Sequence, residues 1–245
     1  MKKFADLHLY PPLRDRDSLK GMINTAFRLG YHFLGVSLPA RISEGEIREL
    51  REICSAVGAD LVTRVDLTPK TSRDLLNQLR HFRRRFEVVA VTCLSKAVAR
   101  QAAKDRRVDL LSFSLDPRKR FFDTAEGELA SKALAALEMN MASILSLQDF
   151  PRVRLLSRLR WETEIAKRFK VPLVISSGAD SEYLLRVPHD FATLASLFDL
   201  PLSSVLNSLS EVPRSIVEQN RLKLSPGYVA PGIRVIREGK DCPRV

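Results

Sequence analysis

Asp6 and His8 stand two residues apart at the end of the apolar run Phe4–Leu9. In an extended strand, side chains at i and i+2 leave the same face, which is how a metal site at the mouth of a barrel begins. Asp66 closes a third apolar run and Asp180 follows a seventh, so a metal-dependent phosphoesterase can be drawn from Asp6, His8, Asp66 and Asp180. A hydrolytic metal centre, however, needs three or more nitrogen or oxygen ligands, with His prominent. The chain has 4 His. His32 opens a strand at the wrong edge, His81 falls on a helix, and His189 lies in a late helical region. His8 then reads as a satisfied polar group at the barrel mouth and Asp180 as a helix N-cap.

A second feature is Ser176-Ser177-Gly178-Ala179, a small-residue turn at the end of the seventh run. Free N–H groups in such a turn can cradle a phosphate, and the same turn can serve close packing. There is no G-x-S-x-G pattern, and no His–Asp pair is placed to activate Ser177.

Cations are far more abundant than these groups. Forty Lys and Arg stand against 29 Asp and Glu, for a net charge of +11. A field of that sign attracts polyanions. Nearly every predicted strand is followed by Arg or Lys: Arg14, Arg16 and Lys20, then Arg41, Lys70 and Arg73, Lys96, the run Arg118-Lys119-Arg120, and finally Arg152 and Arg154 with Arg158 and Arg160 behind them. Ligands of parallel α/β sheets collect at those strand ends. Arg118, Lys119 and Arg120 read as phosphate contacts, since three adjacent cations have only Asp116 and Asp123 near them in sequence. Arg14, Arg41, Arg152, Arg154, Arg158 and Arg186 complete the set of RNA-binding candidates. The alternative for the helical residues is a solvated face with i,i+4 partners such as Arg160–Glu164. A second basic group, Arg83-Arg84-Arg85 with Lys104 to Arg107, falls at the opposite edge. The aromatic residues are too sparse for a single-strand stacking platform, so a large structured RNA bound through backbone and shape fits better.

The elements that must position these groups are short Val-, Leu- and Ile-rich runs: Phe4–Leu9, Tyr31–Leu38, Asp60–Leu67, Glu87–Leu94, Val108–Leu115, Met141–Leu147 and Pro172–Ser176. Their starts recur roughly every 20–30 residues, the repeat of a strand-plus-helix unit. Ser43 with Glu46, and Asp123 with Glu126, are capping-box pairs, and Gly30 and Gly58 stand where helices end in a left-handed residue. The pattern predicts a TIM-barrel-like α/β barrel of about seven parallel strands over residues 1–180. A C-terminal helical extension covers 181–237, with helices at Ser181–Arg186, Asp190–Leu197, Ser203–Ser208 and Pro213–Arg221. Tyr228–Ile236 reads as a short terminal strand interrupted by Pro231-Gly232, and 238–245 as a frayed tail, the whole forming one domain. Cys54, Cys93 and Cys242 are odd in number and far apart, which predicts neither disulfides nor zinc and places the protein in a reducing, cytoplasmic compartment. No apolar run approaches the ~18 residues of a membrane span.

Several stretches in this order resemble the archaeal ribonuclease P protein component 3 family, counterpart of the eukaryotic thirty-kilodalton subunit. They are Val108-Asp109-Leu110-Leu111-Ser112-Phe113, Phe122-Asp123 leading into Ala130, Ala136-Leu137-Glu138-Met139-Asn140, Val171 through Ala179, and Arg186-Val187-Pro188. The resemblance covers most of the chain. It implies a non-catalytic protein subunit of ribonuclease P, the endonuclease that removes the 5′ leader of precursor tRNA. The catalytic centre and its Mg²⁺ ions would then belong to the ribonuclease P RNA, and this chain would bind no cofactor of its own. It also implies pairing with protein component 2, in a heterotetramer, indirect contact with precursor tRNA, and no membrane. The fold it implies is similar to PHP phosphoesterase barrels, whose first strand carries His-x-His. This chain has Asp6 in the first of those positions, and Ser112 and Ser114 where another His is expected, which points to lost metal chemistry. The competing readings are a PHP-type metal phosphoesterase, and a barrel enzyme for a small phosphorylated metabolite, for which no acid/base pair is found.

Overall fold

A computed structural model describes residues 3–230 and 233–235. Seven strands lie in chain order in one parallel sheet: β1 (Phe4–Leu9), β2 (Tyr31–Ser37), β3 (Asp60–Leu67), β4 (Val88–Thr92), β5 (Leu110–Ser112), β6 (Ala136–Asn140) and β7 (Leu173–Ser176). Between them run α1 (Arg16–Arg28), α2 (Glu44–Ala56), α3 (Ser72–Phe82), α4 (Lys96–Lys104), α5 (Thr124–Ala133), α6 (Ala142–Ser146) and α7 (Asp149–Phe169). The chain then forms α8 (Pro188–Ala195), α9 (Leu202–Ser208), α10 (Glu211–Leu224) and a hairpin of β8 (Tyr228–Ala230) with β9 (Ile233–Arg234).

Local chemistry sets most helix boundaries. Ser43 accepts from the Glu46 N–H while Glu46 accepts from the Ser43 N–H, and Asp123 and Glu126 form the same reciprocal box at α5. Each box satisfies donors that a helix start otherwise leaves open. Gly30 and Gly58, at φ +104° and +87°, end α1 and α2 as expected.

The sheet curls into a nearly closed barrel. Its seam lies between β7 and β1, where Leu9 bridges Ala179 and the Tyr10 N–H donates to the Ala179 carbonyl at 2.8 Å. At the other end of the seam the Ala5 N–H donates to the carbonyl of Leu209, just after α9, at 2.8 Å. Val217 of α10, with Val212 and Ile216, joins an interior cluster that includes Ala5, Val62, Val88, Leu110 and Val174. The last long helix thus plugs the end of the barrel where the strands begin. A larger apolar cluster fills the layer between strands and surrounding helices.

Two expectations need correction. Met141–Leu147 is not the sixth strand: Ala142–Ser146 is helix α6, and the strand is Ala136–Asn140. A charged Glu138 in mid-strand hides its pattern, and that carboxylate is buried because Arg64 meets it. The expected terminal strand Tyr228–Ile236 is an antiparallel hairpin, with Tyr228 paired to Arg234. Pro231, Gly232, Cys242 and the expected frayed tail 238–245 lie outside the described residues. Cys54 and Cys93 are buried free thiols, and burial pushes the Cys54 thiol up to about 12. Among the described residues no helix is long and apolar enough to cross a membrane.

Candidate nucleic-acid interface

Inside the barrel, Val62, Arg64 and Asp66 alternate along β3 and so share its inner face. The lining changes from apolar to charged along that row. Arg64 is fully buried. Its guanidinium donates to both oxygens of Glu138 on β6, at 2.5 and 2.8 Å, and to Asp66 at 2.7 Å. It also donates to the Leu7 carbonyl at 2.9 Å. Ser176 donates to Glu138 at 2.9 Å, and Ser37 to Asp66 at 2.5 Å. Burial by itself pushes the Glu138 carboxyl up, but Arg64, with a smaller contribution from His8, holds it well below the usual carboxylate range. Asp66 is lowered in the same way. Arg64 is raised, because the two carboxylates outweigh its own desolvation.

Of the residues considered as metal ligands, His8 and Asp66 come together, Asp6 is engaged by the seam turn and Asp180 lies outside. The β1–β2 register shifts between Asp6 and Leu9. An Asp6 oxygen accepts from the Ser177 N–H at 3.0 Å and the His8 N–H at 3.1 Å. Burial raises the Asp6 carboxyl against those hydrogen bonds. The His8 ring lies 3.3 Å from Glu138 and 3.8 Å from Asp66, under the Tyr10 ring. Asp180 is exposed, and the short helical turn after it starts from Ser181, not from an Asp180 cap. Asp66 and Glu138 already hold a cation, the Arg64 guanidinium, between them. A divalent metal does not fit this donor set, since Arg64 occupies the carboxylate oxygens that would bind it. Neither Arg64 nor Glu138 is among the site residues expected from the sequence. Their signal was a charged residue in the middle of an apolar strand run, which is kept only when paired.

The turn at Ser176, Ser177 and Gly178 closes the seam and offers few free donors. The Ser177 N–H goes to Asp6, the Ala179 N–H to the Ser177 hydroxyl at 3.1 Å, and the Ser177 hydroxyl to the His8 carbonyl at 3.3 Å. Gly178 has φ +64°, and a Cβ there would collide with the Asn140 amide. Gly178→Ala is therefore expected to cost ~2–3 kcal/mol, from left-handed strain plus overpacking. Urea denaturation checks this, and a cost under ~0.5 kcal/mol would show that the seam relaxes freely.

The basic residues sort into free and engaged. Arg14 and Arg41, after β1 and β2, are exposed and line one cleft of about 270 Å³. Arg118 and Lys119, on the turn Pro117–Lys119 after β5, are exposed, as are Arg154 on α7 and Lys70 and Arg73 after β3. Among the described residues Arg14, Arg41, Arg118, Lys119 and Arg154 have no acidic side-chain partner. Arg14, Arg41, Arg118 and Lys119 lie in loops that follow the carboxyl ends of strands, where barrels of this kind collect ligands, and Arg154 lies in the second turn of α7.

Arg120 differs from its two neighbours. It is buried and forks onto Glu162 of α7, at 2.9 and 2.6 Å. The expectation that this run has only Asp116 and Asp123 nearby missed Glu162, which lies 42 residues away. Arg158 donates to Glu162 at 3.2 Å and to the Arg120 carbonyl at 2.7 Å, and stacks 4.0 Å over Trp161. Arg152 donates to the Leu147 carbonyl at 2.5 Å, and Arg186 to the Tyr183 and Leu185 carbonyls at 2.7 and 2.6 Å. Arg160 pairs with Asp199 instead of Glu164. Lys96 pairs with Asp123 and Glu126.

A family model described as RNase P subunit p30 matches residues 3–225. Ribonuclease P protein component 3 of Methanosarcina mazei is 31% identical, over 76% of this chain and 77% of that protein. The protein of the same description from Methanothermobacter thermautotrophicus is 29% identical over 97% of each chain. Among solved structures, a chain of the cryo-EM structure of archaeal ribonuclease P with mature tRNA superposes with a TM-score of 0.81, at 22% identity, covering 91% of this chain and 96% of that one. The A. niger ochratoxinase shares the fold alone, with a TM-score of 0.58 at 12% identity over 90% of this chain and 72% of that one.

Proposed function

The chain belongs to the RNase P subunit p30 family, and from that premise we propose that it is a protein subunit that assists ribonuclease P RNA in removing the 5′ leader of precursor tRNA. The observation that carries the reading is the ring of free cations at the mouth: Arg14, Arg41, Arg118, Lys119 and Arg154. Phosphate oxygens would supply the anions these side chains lack within the chain. Neutralising phosphates releases counterions, favours a compact RNA and lowers the Mg²⁺ that the RNA needs. Arg120, Arg158 and Arg152 would act one step back, by fixing the loop and helix that carry the free cations. The subunit would work beside a second protein, component 2, paired with it in a heterotetramer. The Arg64-filled centre speaks against a metal phosphoesterase.

The test is leader cleavage of precursor tRNA at limiting Mg²⁺. Cognate RNA with component 2 is expected to cleave poorly, and adding this chain to raise the rate at least about tenfold, equivalent to ~1.4 kcal/mol of barrier. Cleavage by the chain alone, or no gain in the full mixture, would overturn the reading.

A further inference from the structure

A second group of cations gathers at the end of the barrel where the strands begin. Arg83 and Arg84 follow α3, Arg106 and Arg107 follow α4, and Lys223 lies in the last turn of α10. These five side chains line a single cleft of about 550 Å³. Arg85, although adjacent in sequence, turns away to the Ala40 and Ile42 carbonyls.

Two of the five are engaged. Arg83 pairs with Asp109, and Arg107 forks onto Asp105 at 2.9 and 2.7 Å. Arg84 and Arg106 are exposed, with no hydrogen bond or ion pair among the described residues. Lys223 is exposed and, among the described residues, donates to the Asn220 side chain at 3.3 Å. Nη2 of Arg83 is buried without a partner. The ordinary use of cations here is to offset helix C-termini, each worth about half a negative charge. The four helix ends that line the cleft, those of α3, α4, α5 and α10, absorb about two of the five charges, and Asp105 and Asp109 absorb two more. The cleft therefore keeps a surplus of about one positive charge, with two guanidinium forks free to take oxyanions.

We propose that this cleft is a second binding site for the RNA phosphodiester backbone, so that one chain holds two RNA segments at opposite ends of its barrel. The ligand class rests on the RNA-binding reading above. The strands between the two groups, five residues long in β4 and eight in β3, span about 16–26 Å at ~3.3 Å per residue. A protein that holds two segments at that spacing fixes their relative placement, which neutralising one surface does not.

The experiment counts short RNA duplexes bound per chain by native mass spectrometry and measures the salt slope of binding. The variants are Arg84→Glu/Arg106→Glu/Lys223→Glu for the cleft and Arg14→Glu/Arg41→Glu/Arg118→Glu/Lys119→Glu for the mouth. All seven positions are exposed, and unchanged melting confirms folding. Wild type is expected to take two duplexes and each variant one, with the cleft variant losing about 2–3 from its log–log salt slope. Equal stoichiometry and slope for wild type and the cleft variant would overturn the cleft while leaving the mouth in place. So would one duplex on wild type that only the mouth variant loses, which would leave the cleft to an acidic protein surface. Binding lost wholly with the cleft variant and untouched in the mouth variant would overturn the mouth assignment and uphold the cleft. No duplex on wild type would overturn both.

Discussion

Arg64→Met is expected to destabilise the barrel by about 3–5 kcal/mol, because it strands two buried carboxylates. For a chain of this size that lowers the melting temperature by roughly 6–20 °C. The cation sits between Asp66 and Glu138, and Glu138 is as fully buried as Arg64 itself. Combining Arg64→Met with Glu138→Met should recover much of the loss, since an apolar pair of similar volume carries no desolvation cost. The sign of the pH dependence gives an independent readout. In the fold, Glu138 and Asp66 are held below their ordinary values. Their contribution to stability is present above the unfolded carboxylate range and is lost as pH falls through the folded values. Asp6 is raised and works in the opposite direction. Wild type should therefore weaken below about pH 4. Arg64→Met should instead gain stability relative to wild type on acidification, as its orphaned carboxylates take up protons. Calorimetry across pH decides this. A single variant that melts within a degree or two of wild type would show that the centre carries no coupled charge.

The second large effect separates neighbours in sequence. Arg118→Ala/Lys119→Ala combined with Arg14→Ala/Arg41→Ala should leave stability within about 0.5 kcal/mol, because all four side chains are exposed. It should weaken ribonuclease P RNA binding by about 10²-fold or more and reduce the salt slope by about 3–4. Arg120→Ala should do the reverse. It leaves Glu162 buried with only the partly exposed Arg158 for a partner, at a cost of about 3–5 kcal/mol. Once folded, it should bind with an unchanged salt slope. Filter binding across a salt series, beside urea melts, tests both. A slope that falls for Arg120→Ala but not for the quadruple variant would reverse the assignment of roles within this run.

The strand–helix alternation, the capping boxes at Ser43 and Asp123 and the glycine stops at Gly30 and Gly58 could be read from the chain, because each depends on residues within a turn or two. The excess of cations could be read as well, since it is a sum. The sixth strand could not: Glu138 breaks its apolar pattern, and only Arg64, 74 residues away, makes that carboxylate acceptable inside the barrel. Sorting the cations also depended on distant partners. Arg118, Lys119 and Arg120 are equivalent in sequence, yet Glu162 of α7 claims one and leaves two exposed. Arg84 and Lys223 are far apart in the chain and line the same cleft. Sequence by itself determined which elements form and how much charge they carry, because backbone propensity and composition are local or additive. Tertiary structure alone decided which charges cancel and which face solvent, because an ion pair depends on distance in space and burial sets what it costs to leave one unmade.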